Sequence, residues 1–135
     1  MSHIIKKTVI IAAPPASVWD HLTKADKLAI WFHKPTEDLH EGADYEMPGQ
    51  DGKPLVWGTV HKAQAPSQLA YSFTARPMGD LVTEVVWSLE AVEAGTRLHP
   101  THSGFPEGAA PFDLLVAFDS GWERHIGQLR ETIAS

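Results

Sequence analysis

The residues after position 110 constrain the fold most. Leu115, Phe118, Trp122, Ile126, Leu129 and Ile133 recur at steps of three and four, which places them on one side of a 3.6-residue helix. Asp119, Glu123, Arg124, Gln128 and Glu131 take the other side. The spacing predicts one long helix over 111–132. So apolar a stripe needs a broad surface to lie on, and the chain before it must supply that surface.

That chain reads mostly as strand. Residues 4–11 are β-branched and apolar around two lysines and predict a first strand. Pro15 can open a short helix over 16–22, since proline is tolerated in a first turn. Thr23-Lys24-Ala25-Asp26 resembles a capping box and predicts a second short helix ending at Trp31-Phe32. The period then changes to two. Strands are expected at 36–39, 44–47, 54–63, 69–73, 81–92 and 96–103, separated by turns at Gly49-Gln50-Asp51-Gly52, Ala65-Pro66-Ser67, Arg76-Pro77-Met78-Gly79-Asp80 and Ala94-Gly95. Val85, Trp87 and Leu89 alternate with Glu84, Ser88 and Glu90, so one face is dry and the other wetter. Leu98, Pro100 and His102 share a face on the last strand. This order, with an antiparallel sheet curled around a terminal helix, is an α+β sandwich.

A chain of 135 residues is expected to form a single domain over 1–135. The lack of cysteine excludes disulfides, thiolate metal sites and a cysteine nucleophile, and fits a cytoplasmic location. No apolar run approaches the roughly 20 residues of a membrane span, and residues 1–7 lack a signal-peptide core. A net charge of −6 argues against nucleic acid as the partner.

Several fragments together resemble a known family. Ala13-Pro14, Val18-Trp19 and Leu22 open it, Trp31-Phe32 follows its second helix, and Gly42, Gly58-Thr59-Val60, Pro66 and Leu69 match its strands and turns. Gly95-Thr96-Arg97-Leu98, His102-Ser103-Gly104-Phe105 and Gly121-Trp122 with Ile126 and Leu129 carry its most specific signature. In these the chain resembles the START-like (SRPBCC) superfamily, in its branch similar to the activator of the heat-shock-protein-90 ATPase (AHSA-type). The resemblance implies a helix-grip fold: a seven-stranded antiparallel sheet around the C-terminal helix, with a cavity between them. Pro100 departs from the pattern, because proline cannot donate to a ladder; the strand should bulge or lose a bond there.

Aromatic character, parity, helical spacing and the bracket ending at Trp31-Phe32 together nominate Trp31, Phe32, Trp57, Tyr71, Phe73, Val85, Trp87, His102, Phe112, Leu115, Phe118 and Trp122 as the ligand-binding set. The competing reading is that the aromatics fill a solid core. Trp57 has ambiguous parity. His102, next to the start of the long helix, is either a polar anchor, a general acid or base, or a fastener of the Ser103-Gly104 turn. His99 and His102 lie three apart on a strand and so face opposite ways. With the other histidines showing no ligand spacing, no metal site is expected, and no cofactor. No nucleophile elbow, P-loop or dinucleotide fingerprint occurs.

The expectation is therefore a binding protein for an apolar or aromatic small molecule, anchored by His102 and the Tyr71 hydroxyl. One alternative is a cyclase- or hydrolase-like enzyme using His102 with Tyr71. Another is a chaperone-regulating interaction module. Two copies could also pair through an exposed face or edge.

Overall fold

The computed structural model describes residues 2–134. The elements run β1 (Ser2–Lys6), β2 (Val9–Ile11), α1 (Pro15–Thr23), α2 (Ala25–Trp31), β3 (Asp44–Pro48), β4 (Pro54–Gln64), β5 (Gln68–Ala75), a 3-10 turn (Arg76–Met78), β6 (Thr83–Val92), β7 (Gly95–Pro106) and α3 (Ala109–Ala134). The seven strands form one antiparallel sheet in the order β1-β7-β6-β5-β4-β3, with β2 also paired to β7. The sheet curls around α3 in the helix-grip arrangement. A bulge between Val60 and Lys62 shifts the β4–β5 register, and such an extra residue bends a strand.

The parity of β6 and β7 is the expected one. Val85, Trp87, Leu89, Leu98, Pro100 and His102 are buried, while their odd-man neighbours are wetter. The core then runs from these strands to Trp122, Ile126 and Leu129 of α3 and Val18, Leu22, Leu28 and Trp31 of the short helices.

Pro100 leaves the mark its chemistry requires. The predicted first strand is interrupted: β1 ends at Lys6 opposite Thr101, and β2 resumes at Val9 opposite Leu98, in the same register. Across the gap Lys7 N–H still donates to the Pro100 carbonyl at 3.1 Å. Proline has no N–H to return, so the ladder lapses there. The Lys7 side chain instead reaches α3, bonding Asp119 at 3.0 Å and Glu123 at 2.6 Å.

Three local expectations are corrected. Residues 36–39 are not a strand. Leu39 N–H is taken by the Thr23 carbonyl and Thr36 N–H by the Glu46 carbonyl, so the segment is pinned as a loop against α1 and β3. The Thr23 hydroxyl does not cap α2; it donates to the Trp19 carbonyl (2.9 Å), and Asp38, on that same loop, accepts from Ala25 N–H at 2.8 Å. A carboxylate from a distant loop, not the Thr23 hydroxyl, satisfies an orphan donor at the start of α2. Ser103-Gly104 is not a turn but a bulge inside β7: Ile4 pairs with Ser103 and His3 with Phe105, skipping Gly104, whose φ is +98°. Glycine reaches that conformation without penalty. The skipped residue changes parity, so both His102 and Phe105 point inward, their rings 4.6 Å apart.

Candidate functional site

The site is built around Trp122. Its indole stacks on Phe32 (centroids 5.3 Å, 16° between planes) and meets Trp87 edge-on at 5.6 Å. Trp87 meets Trp31 edge-on at 5.9 Å. Such offset and T-shaped pairs add to the area term. Trp31 also donates Nε1–H to the His21 carbonyl at 2.7 Å, which closes the V between α1 and α2.

Polar groups inside this cluster are paired end to end. Trp122 Nε1–H donates to His102 Nδ1 at 2.9 Å. The proton of a neutral His102 must then sit on Nε2, which faces the Thr83 hydroxyl at 2.7 Å. Thr83 passes its own proton to the Phe73 carbonyl at 2.7 Å. The chain indole–imidazole–hydroxyl–carbonyl fastens α3 to β5, β6 and β7. Burial pushes the His102 imidazole down to about 3, so the ring is neutral at ordinary pH. Tyr71 is committed as well: its hydroxyl oxygen accepts from Trp87 Nε1–H at 2.9 Å.

The open volume lies to one side of this closed cluster. A cavity of about 250 Å3 sits between α3 from Leu114 to His125, the loop after α2, and the adjoining ends of β4 and β5. Of the residues nominated from sequence, Phe32, Phe73, Phe118 and Trp122 border it. Trp31, Tyr71, Val85, Trp87 and His102 lie in the packed core instead. Leu115 packs on that core from above. Trp57 falls outside altogether: it is 36% exposed on the outward face of β4, beside Thr36, Glu46 and Thr59. Phe112 is 52% exposed and meets His3 edge-on at 6.5 Å.

Sequence reasoning missed the rest of the wall: Leu114, Ala117, Gly121 and His125 on α3, His33 after α2, and Leu55, Val56, Ala75 and Pro77 from the sheet side. The helix residues form a stripe, Leu114-Phe118-Gly121-His125, rotated one residue from the apolar face. Its signal was present in Ala117, Gly121 and His125, two small residues and a histidine four apart along the helix. Gly121 is informative. A Cβ built there meets nothing within 4 Å, and its φ is not positive. A mid-helix glycine costs about 1 kcal/mol relative to alanine. Neither close approach nor backbone geometry requires it; its effect is to leave space on the cavity side.

The ionisable groups bordering the cavity are all basic: His33, Arg124 and His125. His125 Nδ1–H donates to the Trp31 carbonyl at 3.0 Å, which leaves Nε2 free of that bond. Its ring lies 5.5 Å from that of His33. Burial, then the neighbouring His125, lowers the His33 imidazole; burial lowers His125, the Trp31 carbonyl opposes this, and Arg124 adds to the lowering. Among the described residues no group of three or more His, Asp or Glu is placed to hold a metal ion, and no helix is long and apolar enough to cross a membrane.

Comparison with known proteins places this architecture. Protein MLL2253 from Mesorhizobium loti superposes with a TM-score of 0.85 at 20% identity, over 96% of this chain and 95% of that one. CalU16 from Micromonospora echinospora gives 0.77 at 27% identity, over 98% and 75%. The Aha1 dimer from Colwellia psychrerythraea gives 0.80 at 21%, over 97% and 96%. The curated proteins gave no match. The family model described as Activator of Hsp90 ATPase homolog 1-like protein matches residues 12–134. The match takes in α1 through α3, the bulged β7 and the tryptophan on which the site is built, and the chain belongs to that family.

Proposed function

We propose that this protein binds a small apolar or aromatic molecule in the cavity beside Trp122. The observation that carries the reading is the cavity itself, about 250 Å3 with mostly apolar walls, at a place where α3 carries a glycine no backbone constraint demands. Ligand sites are commonly such clefts, with a few polar groups at fixed positions. The volume lies just below the roughly 300–1,000 Å3 of drug-sized sites, which favours a compact ligand of one or two rings. The anchors first expected, His102 and the Tyr71 hydroxyl, serve the core. A cyclase- or hydrolase-like use of His102 gains no support, because both ring nitrogens are engaged.

Trp122 lies in the wall, so its fluorescence reports occupancy. Titration with a panel of one- and two-ring aromatics should shift emission and raise the melting temperature. Gly121→Leu should abolish both responses while leaving the fold intact. A panel in which no compound moves either signal sinks the reading. Pairing of two copies belongs to the same proposal: Phe112 and Val116, four apart on α3 and 52% and 49% exposed, offer an apolar contact. Sedimentation equilibrium of the protein and of a Phe112→Ser, Val116→Ser variant checks it.

A further inference from the structure

The geometry points to an acidic head group on the ligand: the cavity takes a compact aromatic carboxylic acid, its ring against Phe32, Phe118 and Trp122 and its carboxylate toward His33, Arg124 and His125. This rests on the binding proposal and narrows it to one chemical class.

The composition of the rim carries the argument. The chain has 17 acidic and 11 Lys and Arg residues, a net charge of −6. Yet no aspartate or glutamate borders this cavity, while two imidazoles and a guanidinium do. Two imidazoles beside a guanidinium take up protons reluctantly unless an anion comes between them. Here His125 is oriented by its own bond to the Trp31 carbonyl, with Nδ1 as donor. The remaining nitrogen, Nε2, accepts a proton and then becomes a donor to an anion. His33 stands 5.5 Å away, centroid to centroid, and both rings also touch Phe32 (4.6 Å and 4.9 Å). The basic groups and the apolar wall therefore meet along one edge. That edge suits a molecule with a flat apolar body and an acid at one end. Arg124 is exposed, so it supplies charge from the solvent side rather than a buried clamp.

Proton linkage adds a signature. Burial lowers the proton affinity of His33 and His125 in the free protein, and a bound carboxylate raises it again. The groups bearing on this equilibrium are those of the rim itself: His33 from the loop, and Arg124 and His125 from α3. Affinity for the acid should therefore rise as the pH falls from about 8 to about 6, whereas affinity for a neutral isostere should not.

The test uses three isosteric probes by titration calorimetry: 2-naphthoate, 2-naphthamide and 2-naphthylmethylammonium. Naphthoate should bind tightest, by roughly tenfold over the amide, the size expected of a charge-assisted bond. It should also take up protons, read as a buffer-dependent heat. His125→Gln and His33→Gln should each reduce naphthoate affinity several-fold more than naphthamide affinity, with folding checked by circular dichroism. Arg124→Gln, on the exposed side of the helix, gives a variant whose folding is not at risk and should weaken naphthoate alone. Equal binding of all three probes overturns the acid-head inference and leaves the binding proposal standing. Binding of none overturns both.

Discussion

The two halves of α3 lie over one sheet and do different things. In the second half Trp122, Ile126 and Leu129 are buried, Leu129 completely. In the first half Leu114, Leu115 and Phe118 are half-buried, and Phe112 and Val116 are about half exposed. Apolarity does not distinguish the halves; attachment does. The fastenings gather at and beyond the helix midpoint: Lys7 to Asp119 and Glu123, Trp122 to His102, and His125 to the Trp31 carbonyl. The cavity lies along the stretch from Leu114 to His125, where the loosely packed part of the helix runs into its first anchors. A stripe of apolar residues sets which side of a helix faces the sheet. How closely it approaches is set by the polar pins.

The largest expected effect tests the anchored half. Trp122→Ala should cost about 3–5 kcal/mol, the range for removing a large core aromatic, read from the chemical-denaturation midpoint. Leu129→Ala should cost about 2–5 kcal/mol. The same truncation at Leu114, beside open volume, should cost less than about 1 kcal/mol, because little packing is lost. Equal losses at 114 and 129 would erase the comparison.

Acid should loosen the same half. The folded state holds His102 neutral, with its proton affinity lowered by burial to about 3 against an ordinary 6.5. The unfolded chain binds that proton more readily, so the stability this confers is full above about pH 6.5 and is lost as pH falls toward 3. The slope should reach about 1.4 kcal/mol per pH unit at most. His33 and His125 act in the same direction. His102→Gln should flatten the stability profile in that window, measured by denaturation at a series of pH values.

Smallest, and opposite in sign, is Gly121→Ala. Its methyl enters free space, and the helix should gain about 0.5–1 kcal/mol. Gly127 also has nothing within 4 Å of a built Cβ, but it lies away from the cavity. Alanine there should stabilise to a similar degree. Leucine at 121 should block ligands and leucine at 127 should not.

The layout was readable because alternation and helical spacing are strong wherever one face is dry. The parity of β6 and β7, the long helix and the bracket ending at Trp31 followed from residue types alone. Capping of α2 was not readable, since Asp38 replaces the local residue from across a loop. The lining of the candidate cavity was legible only in part. Phe32, Phe73, Phe118 and Trp122 were found as large aromatics, yet the same criterion swept in Trp87 and Tyr71, whose polar atoms pair with each other. It also swept in Trp57, whose strand gave no parity. Gly121 and His125 escaped because a search for bulk passes over a residue that contributes emptiness. His102 was singled out for its chemistry, and its partners Thr83 and Trp122 come from distant strand and helix that only the fold brings together.

The lapse in the ladder opposite Pro100 bears on aggregation. The sheet has two margins, the β3 one partly covered where Thr36 N–H bonds the Glu46 carbonyl, and unpaired backbone along a margin invites strands from other molecules. On one side the margin is divided into β1 and β2, five and three residues long, with lysines at positions 6 and 7. On the other it is β3, five residues with Asp44 and Glu46 on its outward side and Pro48 at its end. Short, charged and interrupted margins are poor templates for strand addition. The pairing proposed above through Phe112 and Val116 is therefore a contact of side chains and not an extension of the sheet.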